Sequence, residues 1–143
     1  MNLWEQVVPL GSLNISQKKF KKDFPREIFG NWGEVIDSIQ FTFGSSKSEL
    51  HGGTGGFASK TCTFSDGEHI VTVRGATTTS NEGFLTTLEF ETTTGAKCRI
   101  GQDEPNAFEV RHRGFHLAYI SGTFGQWKGT VKTIKSVILH WKQ

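Results

Sequence analysis

The chain contains little proline or cysteine and has no strong excess of charge. Its 143 residues include 3 prolines and 2 cysteines, and the formal net charge is only +2 at pH 7. A charge this small is not typical of a nucleic-acid-binding protein, and we expect no such partner. No apolar run reaches the length needed to cross a bilayer. We therefore expect an ordinary domain that occupies residues 1–143 and has no membrane span.

The amino-terminal residues MNLWEQVVPLG lack a charged segment followed by an apolar one. This predicts the absence of an export signal, and hence a cytoplasmic protein or one secreted by an unconventional route. Residues 18 to 26, KKFKKDFPR, form a local basic cluster. We interpret it as a solvated edge, with a site for sulfated polysaccharide as the alternative. The cations concerned are Lys18, Lys19, Lys21, Lys22 and Arg26.

The cysteines and histidines show no pattern that indicates a metal, a cofactor or catalysis. Cys62 and Cys98 lie in the strand-like segments TCTF and KCRI, which predicts two buried thiols, with a disulfide as the alternative. The histidines lack a paired nucleophile or carboxylate at a useful spacing. We therefore predict a protein that is not an enzyme and needs no cofactor.

Alternation of apolar and polar residues recurs along the chain, whereas helical periodicity is nearly absent. The alternating segments are rich in β-branched and aromatic residues, and turn sequences separate them. They are IQFTF (39–43), HIVTV (69–73), LEFET (88–92), FEVRH (108–112), FHLAYI (115–120) and SVILHW (136–141). With 17 glycines, this pattern predicts an all-β protein, and the only weak helical candidate is WEQVV (4–8).

An internal repeat gives this all-β prediction a specific architecture. VIDSIQF (35–41), FLTTLEF (84–90) and TIKSVIL (133–139) align without gaps at a constant spacing of 49 residues, since 86 − 37 = 49 and 135 − 86 = 49. We expect three four-stranded antiparallel Greek-key sheets with pseudo-threefold symmetry, packed as a three-sided prism. Ile39, Leu88 and Val137 should occupy equivalent inward positions.

The segment LHGGTGGF (50–57) places four glycines around one threonine. It leads into the strand-like SKTCTF and not into a helix, so a phosphate-binding loop is not expected. Two interpretations stay open: a tight turn that needs positive φ, or a place where backbone approaches a ligand closely.

From Gly33 to its end, the chain resembles the jacalin-related lectins, whose fold is the β-prism. The resemblance rests on IDSIQFTFG, HGGTGG, FSDGEHIVTVRG, FLTTLEFETTTG, FHLAYISG and IKSVILHW, in this order and spacing. The last two segments are similar to the animal branch typified by zymogen granule proteins. Residues 1–30 match poorly. The resemblance implies carbohydrate binding, with mannose or glucose as the preferred sugars, and it leaves a homo-oligomer possible.

The family's principal sugar site implies a Gly-x-x-x-Asp loop near the carboxyl terminus and a glycine loop near the amino terminus. In this chain Val131 and Lys135 replace the glycine and the aspartate, and the loop TFGQWKGT (123–130) is longer than usual. We expect any binding there to use backbone groups, Gln126 and the Trp127 ring. This second possible site comprises Gly11, Ser12, Gly125, Gln126, Trp127 and Lys128.

An intact Gly-x-x-x-Asp occurs instead in the first repeat. It is Gly33-Glu34-Val35-Ile36-Asp37, and the resemblance pairs it with the turn Gly52, Gly53, Thr54, Gly55 and Gly56. We predict that Asp37, in a solvent-facing loop, accepts bonds from two sugar hydroxyls while the glycines provide backbone donors. The alternatives are a purely structural turn and an interaction domain without sugar binding. Trp32 is assigned equally to the core and to sugar stacking.

In the second repeat Thr86 takes the place of the aspartate, and we expect no comparable site there.

Overall fold

The computed structural model describes residues 2–3, 24–79, 83–128 and 131–143. Within these residues it contains β-strands and no helix. The strands are β1 (Asn2–Leu3), β2 (Glu27–Trp32), β3 (Ile36–Phe43), β4 (Ser46–Lys47), β5 (His51–Gly52), β6 (Ala58–Thr63), β7 (Ile70–Thr77), β8 (Leu85–Thr92), β9 (Lys97–Gly101), β10 (Phe108–Val110), β11 (His116–Trp127) and β12 (Val131–Lys142). The weak helical candidate at residues 4–8 lies outside the described residues, and no helix long and apolar enough to cross a membrane occurs among them.

The described strands form three antiparallel sheets. The first has the order β4-β3-β2-β6, with β5 also paired to β3, the second has β10-β7-β8-β9, and the third has β1-β11-β12. The three-sided prism expected from the repeat is therefore confirmed. The number of strands per sheet varies around the expected four, because β4 and β5 are short separate strands and three strands of the third sheet lie within the described residues.

The 49-residue repeat corresponds to equivalent strands in the three sheets. β3 and β8 share one burial pattern along all eight residues. Ile39, Leu88 and Val137 each lie opposite a glycine of the neighbouring strand. Ile39 and Leu88 are fully buried and Val137 is half-buried against the same core, which confirms the predicted register.

One continuous core fills the space between the sheets. It consists of aliphatic and phenylalanine side chains from every sheet, among them Ile28, Phe41, Phe90, Leu117 and Ile134. Burial of this apolar surface is the main favourable contribution to folding. Trp32, which the sequence assigned equally to core and ligand, is half-buried and packs against this cluster.

A disulfide between Cys62 and Cys98 connects the first and second sheets. Cys62 lies on β6 and Cys98 on β9, and their Cα atoms are 5.9 Å apart. The prediction of two buried thiols is therefore wrong, and the alternative is correct. The two strands come together because their sheets share one core, a proximity that the spacing along the sequence does not reveal.

Most of the segment expected to be a long loop, residues 123–130, is strand. β11 continues to Trp127 and pairs with β12 up to the Trp127–Val131 pair, with a shift of register between Thr123 and Phe124 that leaves Lys135 unpaired in the ladder. Lys135, expected near a loop, therefore lies within β12. The glycines of this segment favour a loop locally, but backbone pairing between the two long strands outweighs that preference.

Candidate functional site

The Gly33–Asp37 segment and the glycine turn lie against each other, as predicted. The N–H group of Gly53 donates to the main-chain carbonyl of Asp37 at 3.0 Å, and Gly52 pairs with Ser38. Gly52 has φ of 121°, a region that favours glycine, and a Cβ there would overlap the carbonyl oxygen of Asp37. A Cβ on Gly53 would overlap the carbonyl oxygen of Lys132. A side chain at either position would overlap a main-chain oxygen, which explains why both residues are glycine.

The rest of the turn is held by Asn31, which lies on β2. Its side-chain oxygen accepts a hydrogen bond from the N–H group of Gly56 at 3.0 Å, and its side-chain nitrogen donates to the carbonyl of Ala58 at 3.1 Å. The N–H group of Phe57 donates to the carbonyl of Trp32 at 3.1 Å. The turn is therefore bonded to β2 at both the Asn31 side chain and the Trp32 backbone.

Asp37 is buried, contrary to the expected position in a solvent-facing loop. It is the second residue of β3, and only 5% of its surface is exposed. Burial raises the pKa of the Asp37 carboxyl group above its usual range, and a hydrogen bond from the Gly33 N–H group partly opposes this. The same N–H group also donates to the Val35 carbonyl at 3.0 Å. Asp37 is thus a strand residue whose charge is costly in the folded protein.

The side chains of the two residues before Asp37 belong to the core. Val35 and Ile36 are 1% and 0% exposed. They can face a ligand with their backbone only. Thr54 and Gly55, by contrast, are exposed at the tip of the glycine turn.

Glu34 of the Gly33–Asp37 segment forms an ion pair with Lys128, a member of the second possible site. The Lys128 ammonium group lies 2.9 and 3.1 Å from the two carboxylate oxygens of Glu34. This hydrogen bond is the largest cause of the lowered pKa of the Glu34 carboxyl group. Lys128 has φ of 53°, and both side chains of the pair are mostly exposed. The structure therefore brings residues of the two predicted sites to one end of the prism.

The other described members of the second possible site differ from Lys128 and from one another in burial. The Trp127 ring is half-buried and packs edge-on against Phe84, with ring centroids 5.4 Å apart. A Cβ on Gly125 would also contact the Phe84 ring. Gln126 is exposed. Gly11 and Ser12 lie outside the described residues, so their relation to this group stays a prediction.

The second repeat has the same backbone arrangement with different side chains. Gly101 has φ of 96°, and the N–H group of Gln102 donates to the Thr86 carbonyl at 2.9 Å, matching Gly52 and the Gly53 bond to Asp37. The Thr86 hydroxyl donates to the Glu104 carboxylate. This hydroxyl therefore already has a partner within the protein.

Three residues at this end were not singled out by sequence reasoning. Phe57 is 84% exposed and lies against Gly33, Asn31 holds the glycine turn, and the Gln102 side chain donates to the Gly33 carbonyl. An aromatic residue directly after a glycine turn was a visible signal for Phe57. The repeat could have indicated Gln102, which lies 49 residues after Gly53. Nothing local indicated Asn31.

The basic cluster lies mostly outside the described residues. Among its cations, Arg26 is described, and its guanidinium group pairs with the Asp66 carboxylate at 2.8 Å. No group of three or more potential metal ligands occurs in the described ranges.

A prism of three antiparallel sheets, with glycine-lined turns gathered at one end, defines a β-prism lectin as the class of protein. The model of the jacalin-like lectin domain matches residues 10–138, and the chain belongs to this family. This is a family of carbohydrate-binding proteins and not of enzymes. The match includes most of residues 1–30, which the sequence resemblance left poorly matched. Among curated proteins, no sequence matches the chain.

Solved structures support the same fold. A prostate-specific WGA16 glycoprotein lectin is 26% identical, with a TM-score of 0.71 and coverage of 84% of this chain and 83% of that one. A mannose-binding jacalin-related lectin from Ananas comosus is 18% identical, with a TM-score of 0.66 and coverage of 99% and 94%. Artocarpin in complex with methyl α-mannose is 15% identical, with a TM-score of 0.67 and coverage of 86% and 87%. The last two likenesses, at low identity, concern the fold alone.

Proposed function

We propose that the chain binds mannose- or glucose-type glycans through the Gly33–Asp37 segment and the glycine turn of residues 52–56. The observation that carries this proposal is the direct bond between the two elements, from the Gly53 N–H group to the Asp37 carbonyl at 3.0 Å. It places a carboxylate residue beside a turn whose backbone has almost no side chains. The mannose-binding lectins among the structural neighbours support this choice of sugar.

The chemistry of the site suits vicinal hydroxyl groups. An ionised carboxylate accepts two strong, charge-assisted hydrogen bonds from such hydroxyls. The N–H groups of Gly53 and Gly56 are already bonded within the protein, so backbone donors to the sugar would have to come from the exposed tip of the turn, at Thr54 and Gly55. Because the family's carboxyl-terminal aspartate is Lys135 here, we rank the Asp37 site above the site around Gln126, Trp127 and Lys128.

The test is titration calorimetry with methyl α-mannoside on the wild type and Asp37→Asn. Charged hydrogen bonds contribute roughly 1.5–3 kcal/mol each, so the variant should bind at least about tenfold more weakly. Asp66→Asn is the matched control, because its exposed carboxylate pairs with Arg26 on another part of the surface. Equal affinity of wild type and Asp37→Asn would contradict the assignment of Asp37.

The low exposure of Asp37 favours one second candidate, an interaction domain that does not bind sugar. A glycan array at two salt concentrations separates the candidates. Neutral sugars should bind almost independently of salt, whereas a sulfated polysaccharide held by the basic cluster should be released as salt screens the charges. A domain without sugar binding should give no signal at either concentration.

A further inference from the structure

Phe57 is the most exposed of the large apolar side chains that the structure describes. It is 84% exposed, and the next such residue, Ile138, is 40% exposed. A single exposed apolar residue needs no special explanation by itself. Phe57, however, directly follows the glycine turn, where the side chains of the neighbouring residues are absent or small. Phe57 therefore presents an exposed aromatic ring at the candidate site.

The Phe57 ring lies against the backbone of the Gly-x-x-x-Asp segment. A Cβ built on Gly33 would be 3.1 Å from the Cε1 atom of the ring, so the ring edge rests on the Gly33 backbone. Gly33 begins the segment that ends at Asp37, and the turn that Phe57 follows is bonded to the Asp37 carbonyl through the Gly53 N–H group. The Phe57 ring therefore lies beside both elements of the candidate site.

The backbone that carries the ring is fixed by hydrogen bonds. The Phe57 N–H group is bonded to the Trp32 carbonyl, and the preceding Gly56 is bonded to Asn31. Because this backbone is already ordered, a contact with a ligand has to order only the side-chain torsions of phenylalanine. Phenylalanine has no polar atom in its side chain, so the surface it offers is an apolar aromatic face.

We propose that Phe57 is a specificity-determining residue that stacks on the C–H face of the pyranose whose hydroxyls bind Asp37. This inference rests on the proposed function and deepens it. The class of ligand is a pyranoside that has two free vicinal hydroxyls and, next to them, an unsubstituted apolar face. Sugars with a bulky substituent on the face turned towards Phe57 are disfavoured, because the substituent would separate the phenyl ring from the sugar C–H groups.

The experiment measures binding of methyl α-mannoside and methyl α-glucoside to the wild type, Phe57→Ala, Phe57→Leu and Phe57→Trp. Loss of an aromatic contact should weaken binding by about three- to tenfold in Phe57→Ala. Phe57→Leu should stay weak because it is apolar without an aromatic face, and Phe57→Trp should restore binding. Phe115→Ala, at another exposed phenylalanine, should bind like the wild type. Thermal midpoints should be unchanged, since the ring is exposed.

A second measurement is specific for stacking. In the wild type, the sugar C–H protons should shift upfield in the NMR spectrum on binding, and this shift should disappear in Phe57→Leu. Unchanged affinity in Phe57→Ala, together with weak binding by Asp37→Asn, would overturn the role of Phe57 alone. Binding by Phe57→Leu as tight as the wild type would also overturn stacking. Failure of the wild type to bind any pyranoside would overturn this inference and the proposed function together.

Discussion

Asp37, the carboxylate of the proposed sugar site, lies in an unfavourable environment for a charge. It occupies the second residue of a strand, is 5% exposed, and has a pKa raised by burial. A structural aspartate usually gains stability from its charge, through a cap or an ion pair. Here the charged form is disfavoured by folding, and Gly33 only partly compensates. The raised pKa gives no sign that the Asp37 charge serves the fold, which is compatible with the proposed binding role.

The pH dependence of stability should show this cost. A carboxyl group with a raised folded-state pKa binds its proton more tightly in the folded state than in the unfolded state. Its stabilising effect is therefore complete below the unfolded-state pKa, about 3.9 for aspartate, and is lost as the pH rises through the folded-state pKa. We expect Asp37→Asn to be at least as stable as the wild type at pH 7, and this advantage to vanish in acid.

Thermal unfolding of both proteins from pH 3 to 8 measures the effect. Asp66→Asn is again the control, because it removes an exposed carboxylate. A variant clearly less stable than the wild type at pH 7 would show that the Asp37 charge stabilises the fold, and would assign it a structural role.

At the scale of strands, the sequence identified elements with clear alternation and missed those shaped by their neighbours. Segments such as LEFET lie within observed strands, because alternation of burial is a local property of the chain. β2 was not predicted, since EIFGNW contains glycine and asparagine. Gly30 is tolerated there because Ile100 of another sheet packs against it, and a Cβ would lie 2.6 Å from the Ile100 Cδ1 atom. No single segment carries that information.

As with the strands, the sequence predicted the local features of the candidate site and missed those that depend on packing. The Gly-x-x-x-Asp motif and the glycine turn are each a continuous segment of the sequence, and the family resemblance implied that they meet. The burial of Asp37 and the ion pair between Glu34 and Lys128 depend on how three sheets pack, with partners as far apart as 94 residues. They became visible only in the folded chain.

The disulfide links two elements that are otherwise joined only by packing. Cys62 on β6 and Cys98 on β9 are separated by 36 residues and bridge the first and second sheets. Such bonds are typical of oxidising compartments. The bond restricts the unfolded chain, and its loss should destabilise the fold.

We expect the Cys62→Ser, Cys98→Ser double variant to lose about 2–4 kcal/mol of unfolding free energy. Urea denaturation of both proteins without reductant measures the difference, and addition of reductant should bring the wild type close to the variant. Equal stability of the oxidised wild type and the double variant would show that sheet packing alone fixes these strands. Sugar binding serves as the control, since neither cysteine lies in the candidate site.

At the scale of the whole molecule, the first and second sheets share a backbone arrangement but differ in side chains. The backbone bond that joins Gly53 to Asp37 recurs between Gln102 and Thr86. The carboxylate is retained in the first repeat only, since Thr86 and Lys135 occupy the equivalent positions. The shared backbone is a property of the fold, and the carboxylate retained in the first repeat is the feature on which the proposed sugar site rests.

The three equivalent core positions should also differ in how much they contribute to the free energy of unfolding. Ile39, Leu88 and Val137 are equivalent by the repeat, but Val137 is only half-buried. Replacing the fully buried Ile39 or Leu88 by alanine should cost about 2–5 kcal/mol of unfolding free energy, through lost burial and the cavity left behind. Val137→Ala removes fewer atoms from a partly exposed position and should cost about 1 kcal/mol.

Urea denaturation of the three variants tests this order, with Ile138→Ala as the control at an exposed neighbouring position. The control should change stability by less than about 0.5 kcal/mol. A cost at Val137 equal to that at Leu88 would mean that the third sheet is closed over the core as tightly as the other two. The three core positions would then contribute equally to stability, and the sheets would differ only in the residues at the end of the prism that carries the glycine turn.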